Sequence, residues 1–346
     1  MVRPRHIILA ALTLAVSLLS LPVTSQLPSP GTKPPLKSMR EVQALNNAGN
    51  KALNANPSNV EAAQRLYNQA LDRARTLRDR IGEGKSLLNL GNVSAIQKQP
   101  AKALDYLQQS LAVSRETHDA IGEADTLYTI ARLYSKFEPD KAEDAFRQAR
   151  SAYHEAGQPA REAETLILIG NFHQKQGRIR QAKEAYTIAA TFAHSTGNEK
   201  AEADALWARG ALHKFTKGSD PDMPTMDEAK KDYLKAKMLF HKVNDLVDEA
   251  WTDGNLGVIE FFQGHTDAYR QDLQQALGIY RTLKDTKNIA STLSKLGLMT
   301  GVQDLVVESL RYEQEALGIY RAEGDKTGES KTLDRKSTRL NSSHSS

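Results

Sequence analysis

One phrase recurs seven times along the middle of the chain, and its spacing limits the fold more than any other feature. Its copies are GEGKSLLNLGN, GEADTLYTIAR, REAETLILIGN, AEADALWARGA, DEAWTDGNLGV, NIASTLSKLGL and GESKTL. Their second residues are 83, 123, 162, 202, 249, 289 and 329, so the steps are 40, 39, 40, 47, 40 and 40. A period of this length predicts an array of small units that each pack against their neighbours. The single long step predicts an insertion, near residues 217–226.

Each unit contains two stretches with the apolar spacing of a helix. In the second unit the apolar positions are Leu87, Leu90, Leu104, Leu107 and Leu111. We predict a first helix over residues 85–97 and a second over 101–117, with Pro100 in the first turn of the second helix. The chain has no long alternation of Val, Ile and Thr. The predicted fold class is therefore all-α.

A small residue falls in the middle of the first helix of every recognisable unit. These residues are Gly91, Ala131, Gly170, Gly210, Gly257 and Gly297. Glycine inside a helix costs about 1 kcal/mol relative to alanine, so its recurrence needs a structural reason. We expect close approach of the second helix, which has its own small residues. These are Ala103, Ala142, Ala182 and Ala229, and then Ser110, Ala149, Ala189, Ala236, Ala276 and Ala316.

This pattern of small residues resembles the tetratricopeptide repeat (TPR), in a 40-residue variant with a longer second helix. The resemblance covers residues 39–333 and implies a right-handed α-solenoid of about seven repeats plus the start of another. The first unit, residues 39–80, matches by helix pattern only. Tyr269 and Ser309 occupy positions where the family has a small residue, so the sixth and seventh repeats fit less well.

The resemblance also implies a concave groove lined by the first helices, which would bind a protein or peptide. The groove residues it selects are Leu88, Asn92, Ala95, Tyr128, Arg132, Ser135, Ile167, Asn171, Gln174, Trp207 and Lys214. Asn92 and Asn171 are candidates to hydrogen-bond a bound backbone, or are simply part of the repeat consensus. Some TPR domains clamp a terminal carboxylate with basic and Asn side chains. We do not expect that clamp, because only Arg132 lies between the two asparagines.

The residues present predict no catalytic site, cofactor site or metal site. The absence of cysteine excludes disulfides, thiol nucleophiles and thiolate zinc sites. His173 and His213 lie at equivalent repeat positions, but no third ligand recurs with them, so core histidines are favoured over a metal pair. Asp220 and Asp222 lack the spacing of a calcium loop. The net charge of +4 comes from residues 1–25 and 334–346, which argues against a nucleic-acid partner.

Both ends of the chain differ from the repeats. Residues 1–25 have the basic start, apolar stretch and small-residue end of a signal peptide, and residues 26–38 form a Pro-rich linker. An uncleaved anchor is disfavoured because the apolar stretch is short, and a lipid anchor would need a cysteine. We therefore predict export to the periplasm or outside the cell. Residues 334–344, DRKSTRLNSSH, resemble a translated sequencing-library adapter, so 334–346 is predicted to be a non-native tail on a truncated reading frame.

Two functions fit this organisation. The first is an exported protein-interaction scaffold that is not itself an enzyme. The second is the sensor or regulatory arm of a longer enzyme, because ALGIYR, GEADTL and NLGN at a 40-residue period resemble repeats that precede caspase-like CHAT peptidase domains. A catalytic Cys of such a domain would lie beyond residue 333.

Overall fold

The computed structural model describes residues 36–55, 59–212, 225–302 and 305–343, with side chains described within 39–334. Its helices in chain order are α1 (Leu36–Ala55), α2 (Val60–Leu77), α3 (Arg80–Ile96), α4 (Pro100–Glu116), α5 (Ala120–Phe137), α6 (Pro139–Glu155), α7 (Pro159–Lys175), α8 (Ile179–Ser195), α9 (Glu199–Ala211), α10 (Met226–Lys242), α11 (Leu246–Phe262), α12 (Thr266–Leu283), α13 (Thr286–Val302), α14 (Val306–Glu323) and α15 (Lys326–Ser343). The predicted signal peptide, most of the linker and most of the insertion lie outside the described residues. Of the described helices, none is long and apolar enough to cross a membrane.

The helices begin and end where local chemistry dictates. Asp79 caps α3 by accepting a hydrogen bond from the backbone N–H of Gly82 at 2.9 Å. The predicted start of this helix at residue 85 was therefore five residues late, because the Gly-Glu-Gly segment forms its first turn. Pro100 is the first residue of α4, as predicted. Arg78 and Lys98 adopt left-handed backbone angles between helices, which ends one helix before the next begins.

Consecutive helices pack as hairpins that stack into a solenoid. The pairs are α1/α2, α3/α4, α5/α6, α7/α8, α9/α10, α11/α12 and α13/α14, and α15 follows against α14. First helices of adjacent hairpins also meet, as in the α1–α3, α3–α5 and α7–α9 contacts. The predicted all-α solenoid is confirmed. The first helices form one layer, whose open side is called the concave face below.

The mid-helix glycines allow the two helices of a hairpin to approach closely, as the sequence predicted. A Cβ on Gly91 would lie 2.7 Å from Leu107 of α4, and one on Gly170 would lie 2.4 Å from Tyr186 of α8. Gly49 in α1 has the same relation to Tyr67, at 2.4 Å. The first hairpin therefore has the same packing as the others, although its sequence showed only a helix pattern.

The glutamate of the recurring phrase joins one repeat to the next. It pairs with a basic side chain, Arg or His, that lies eight residues earlier in the last turn of the preceding second helix. The pairs are Arg75–Glu83 (3.0 Å), Arg115–Glu123 (2.8 Å), His154–Glu162 (3.0 Å), His194–Glu202 (3.0 Å), His241–Glu249 (3.1 Å) and Arg321–Glu329 (2.8 Å). The sixth copy of the phrase has Ile289 instead, and Arg281 pairs with Glu315. The recurring phrase therefore forms an ion pair between consecutive repeats and also begins a helix.

The hairpins from α9 to α12 have buried ion pairs at positions that are apolar in the other hairpins. Asp253 is 1% exposed and pairs with Lys237 at 2.5 Å. The position of Asp253 is leucine in the other hairpins: Leu45, Leu87, Leu127, Leu166, Leu206 and Leu293. Arg209 donates to both carboxylate oxygens of Asp232, at 2.8 and 2.6 Å. Burial and nearby Asp253 raise the pKa of Asp272 to about 6. This part of the solenoid is held together by charge where the rest uses leucine.

Candidate functional site

The N-terminal end of the concave face has a groove between α1, α3 and α5, which we call the N-terminal groove. Its volume is about 490 Å³. It is lined by Asn50, Leu53, Asn54, Tyr67, Asn89, Asn92, Ala95, Ile96, Thr129, Arg132, Leu133, Lys136 and Phe137. No acidic side chain is among these lining residues. Two cations and four asparagines make this lining suited to an anionic or carbonyl-rich ligand.

The two cations of the N-terminal groove have no carboxylate partner among the described residues. Arg132 lies 5.7 Å from the ring centre of Tyr128, and Lys136 lies 5.3 Å from that of Phe137. Most other arginines of the first five hairpins are in ion pairs, for example Arg115 with Glu123. Uncompensated charges that share a groove create a local positive potential. The N-terminal groove therefore attracts carboxylates.

The asparagines on the concave face fall into two kinds. The Tyr67 hydroxyl donates to Asn50 Oδ1 at 2.6 Å, and the Tyr186 hydroxyl lies 2.6 Å from Asn171 Oδ1. Asn92 instead faces a hairpin partner with no hydroxyl, Leu107, and makes no side-chain hydrogen bond within the described part of the chain. Asn92 is thus available to a ligand, whereas Asn171 is used in part to hold its own hairpin together.

Several predicted groove residues make contacts within the solenoid. Gln174 Oε1 lies 2.9 Å from the Tyr186 hydroxyl. Ile167 packs against three buried clusters, and half-buried Trp207 packs edge-on against Tyr233 with ring centres 6.4 Å apart. The Ser135 hydroxyl donates to the Arg132 carbonyl at 2.8 Å. These residues shape the concave face from beneath.

Two predicted residues lie near the N-terminal groove, and one is outside the structure. Leu88 lines an adjoining depression of about 350 Å³ with Asn46 and Lys85. Ala95 lines the N-terminal groove itself. Lys214 lies outside the described residues. The predicted residues that the structure brings together in one groove are therefore Asn92, Ala95 and Arg132.

Arg161 is a residue that the sequence analysis missed. Its guanidinium lies 4.9 Å from the ring centre of Tyr128 and 5.3 Å from that of Tyr153, and it donates to Asp125 at 3.2 Å. It also donates to Glu164 at 2.6 Å. Burial and the hydrogen bond to Asp125 raise the pKa of Tyr153, whose hydroxyl donates at 2.6 Å. Arg161 thus forms ion pairs with both acids next to the N-terminal groove.

The absence of a carboxylate clamp stays a prediction, and the residues around the N-terminal groove bear on it. The structure places Asn50, Asn92, Arg132 and Lys136 around one groove, from three successive first helices. The sequence analysis missed Asn50 because the first unit matched by helix pattern only, and it missed Lys136 because that residue lies one position beyond Ser135, the last position it considered on this helix. Both residues could have been found from their distance to the mid-helix small residue. Asn50 follows Gly49 by one position, and Lys136 follows Ala131 by five.

A second groove, the C-terminal groove, lies between α11 and α13 and was not predicted. Its volume is about 300 Å³. It is lined by Ala250, Trp251, Gly254, Asn255, Val258, Leu273, Ala276, Tyr280, Asn288, Ser291, Thr292 and Lys295. Trp251 is 48% exposed, and Phe261 and Phe262 are exposed at the end of the same helix. This part of the concave face combines exposed aromatic side chains on α11 with polar side chains on α13.

The candidate metal ligands behave as structural residues where they are described. His173 is buried in α7, and burial lowers its pKa, which favours the neutral ring. The described residues include no group of three or more side chains that could hold a metal ion. His213 and the aspartates of the insertion lie outside them.

Comparisons with known proteins agree with this architecture. Residues 58–116 and 83–155 match the family model described as tetratricopeptide repeat. No curated protein sequence matches the chain. BtubC from P. vanneervenii is similar in structure, with 20% identity, coverage of 66% of this chain and 92% of that chain, and a TM-score of 0.56. Aspartyl phosphate phosphatase F from Bacillus subtilis has 13% identity, coverage of 82% and 71%, and a TM-score of 0.56.

A larger protein shares the same solenoid. The STAND protein PH0952 from Pyrococcus horikoshii, described as having a tetratricopeptide repeat sensor, has 12% identity and a TM-score of 0.62. The match covers 87% of this chain and 46% of that chain. At these identities the likeness shows the fold alone. Residues 58–155 thus match the tetratricopeptide repeat, and the hairpins before and after that stretch pack in the same way.

Proposed function

We propose that this protein is an interaction scaffold that binds an extended acidic peptide segment of a partner protein on its concave face. The single observation that carries the proposal is the N-terminal groove, which has two unpaired cations, four asparagines and no acidic residue in its lining. A carboxylate, from an acidic side chain or a chain terminus, is the ligand group that complements it. The residues present act by binding, and no enzymatic role is proposed for them.

The roles of the residues follow from their geometry. Arg132 and Lys136 are separated by one helical turn on α5, so both face the same part of the groove. A hydrogen bond to a charged group contributes about 1.5–3 kcal/mol, which makes these two the main source of affinity. Asn92 can donate to and accept from a peptide backbone. Ala95 and Leu53 leave room beside them for the ligand chain.

Charge reversal in the groove tests this function. The probe is a fluorescein-labelled Gly/Ser peptide that ends in four glutamates and a free carboxylate, titrated by fluorescence anisotropy. The double variant Arg132→Glu/Lys136→Glu is expected to weaken binding roughly 100-fold or more, because two attractive contacts become repulsive. The matched control is Lys102→Glu on α4, an exposed lysine outside the groove. Equal affinity for the double variant and the wild type would contradict the proposal.

Export is a second part of the proposal. It is supported by the three-part leader of residues 1–25. Expression of the full chain in a Gram-negative host, followed by fractionation and N-terminal sequencing, tests it. We expect mature protein in the periplasm that begins near Gln26. Retention of residues 1–25 on cytoplasmic protein would contradict export.

The alternative, a regulatory arm of a longer enzyme, is supported by one comparison. The STAND protein PH0952 carries its tetratricopeptide repeats as a sensor, and this chain spans about half its length. The resemblance of the repeats to those before CHAT peptidase domains points the same way. Long-read sequencing of the native gene across codon 333 separates the two. A frame that continues into a domain with a His and a Cys supports the arm, and an early stop after a capping helix supports the scaffold.

A further inference from the structure

Gly254, in the middle of α11, is a helical glycine that packing does not explain. A Cβ built on Gly254 would meet no atom within 4 Å. By contrast, a Cβ on Gly257, one turn further on, would lie 2.3 Å from the Tyr269 ring. A glycine in a helix interior costs about 1 kcal/mol relative to alanine. Gly257 is therefore required by its neighbour, and Gly254 is not.

The effect of Gly254 is to open the concave face. The equivalent positions of the four preceding hairpins carry large side chains: Leu88, Tyr128, Ile167 and Trp207. At α11 that side chain is missing, and the C-terminal groove of about 300 Å³ occupies the space. The floor of the depression is the backbone at Gly254. Its size is at the low end of the range for ligand pockets, which suits one side chain rather than a large ligand.

The α11 and α12 walls of the C-terminal groove are largely apolar, whereas the α13 wall carries polar side chains and Lys295. Half-exposed Trp251 stands on one side of Gly254, and Val258 lies one turn away on the other. Leu273 and Tyr280 of α12 form the back, and no acidic side chain lines the groove. An exposed tryptophan beside an open backbone offers a flat surface against which an aromatic ring or a branched aliphatic chain can pack. Burial of such a side chain stabilises a complex by about 1.5–3 kcal/mol.

We propose that the C-terminal groove binds an aromatic or branched aliphatic side chain of the same peptide whose acidic segment occupies the N-terminal groove. This inference rests on the proposed function. Both grooves lie between successive first helices on one face, so one extended chain can reach both. The two cations of α5 attract the acidic segment, and the open space at Gly254 beside exposed Trp251 accepts the apolar side chain. The partner segment is thus acidic at one end and apolar at the other.

The test uses Trp251 as its own reporter. The chain has two tryptophans, so Trp207→Phe leaves Trp251 as the single emitter. Two probes are titrated, N-acetyl-L-phenylalanine amide and the four-glutamate peptide with one added phenylalanine. We expect a saturable change in Trp251 emission with the amide. Gly254→Leu, which restores the side chain found in α3, should weaken that response roughly tenfold or more.

Gly278 provides a matched control. It is also a helical glycine with no atom within 4 Å of its Cβ position, but it lies exposed on α12. Gly278→Leu should leave the response unchanged. If Trp207→Phe does not fold, wild-type emission is compared with that of Trp251→Phe, in which the response to the amide should vanish.

The outcomes separate this inference from the proposed function. Binding of the four-glutamate peptide with no response of Trp251 to the amide would overturn the C-terminal site and leave the function. A Trp251 response with no binding of the acidic peptide would overturn the function, and with it the two-part peptide. A dimer that Gly254→Leu dissociates would show that a second copy of the chain fills the groove, which would also overturn the inference. Equal effects of Gly254→Leu and Gly278→Leu would do the same.

Discussion

The two ends of the concave face are built from the same helical positions but present different chemistry. One residue after the mid-helix small residue, α3 and α5 carry Asn92 and Arg132, whereas α11 and α13 carry Val258 and Leu298. The backbone repeats, so these positions face the same way in every hairpin. A TPR array can therefore change its ligand chemistry along its length without changing its fold. The following predictions test that difference, from the largest expected effect to the smallest.

The largest effect concerns the buried ion pair between Lys237 and Asp253. Lys237→Ala should destabilise the fold by about 3–5 kcal/mol, because it leaves the buried Asp253 carboxylate without its partner. The double variant Lys237→Leu/Asp253→Leu should regain the wild-type stability or exceed it, since leucine is the residue at this position in the other hairpins. Urea denaturation followed by circular dichroism measures both. A double variant as unstable as Lys237→Ala would contradict the claim that the Lys237–Asp253 ion pair replaces the leucine packing of the other hairpins.

The two asparagines should separate binding from stability. Asn92→Ala should weaken binding of the acidic peptide roughly tenfold and leave the urea midpoint unchanged, because the Asn92 amide faces only the groove. Asn171→Ala should lower the free energy of unfolding by about 1 kcal/mol with little change in affinity, because it removes an acceptor of the Tyr186 hydroxyl. Anisotropy and denaturation on the same samples give both values. A loss of stability in Asn92→Ala together with a loss of affinity in Asn171→Ala would contradict the roles assigned to the two asparagines.

Asp272 should make the stability of the charged hairpins depend on pH. Burial and Asp253 raise the pKa of Asp272 to about 6, above its usual value, and Glu260 adds to the shift while Lys230 and Lys237 oppose it. The folded state therefore binds the proton more tightly than the unfolded state, and this group destabilises the protein above about pH 6. Asp272→Asn should raise Tm near pH 7.5, and the gain should shrink towards pH 5. A gain that is constant with pH would contradict this cause.

The smallest effect compares two glycines of one helix. Gly254→Ala should stabilise the protein by up to about 1 kcal/mol, because alanine is the better helix former and the added methyl group has space. Gly257→Ala should destabilise it, since the methyl group would overlap the Tyr269 ring. Thermal unfolding of both variants measures the difference. Equal signs would remove the case that Gly254 serves a ligand.

Much of the fold was predictable because periodicity is a local property. The period placed the hairpins, and the mid-helix glycines predicted the close approach that Gly91 and Gly170 show. The start of α3 was misplaced because its first turn contains two glycines, and the Asp79 cap was not recognised. The repeat glutamates were noticed only as markers of the period. Their partners lie eight residues away across a loop, and that contact depends on the packing of two repeats.

The site was less predictable because it depends on which side chains remain unpaired. Asn92 and Asn171 look alike in sequence, and the difference between them lies in Leu107 and Tyr186 on another helix. Asp125 on α5 pairs with Arg161 of α7, and this contact depends on how two hairpins pack. The C-terminal groove depends on a missing side chain, which a search for functional residues does not detect.

Photo-crosslinking tests the central claim most directly. The four-glutamate peptide carries a benzophenone next to its acidic residues, and mass spectrometry maps the cross-linked residues on the wild-type protein. We predict that the cross-links fall on α1, α3 and α5, within the lining of the N-terminal groove, and that Arg132→Glu/Lys136→Glu removes them. Cross-links on the second helices of the hairpins, unaffected by that variant, would contradict binding on the concave face.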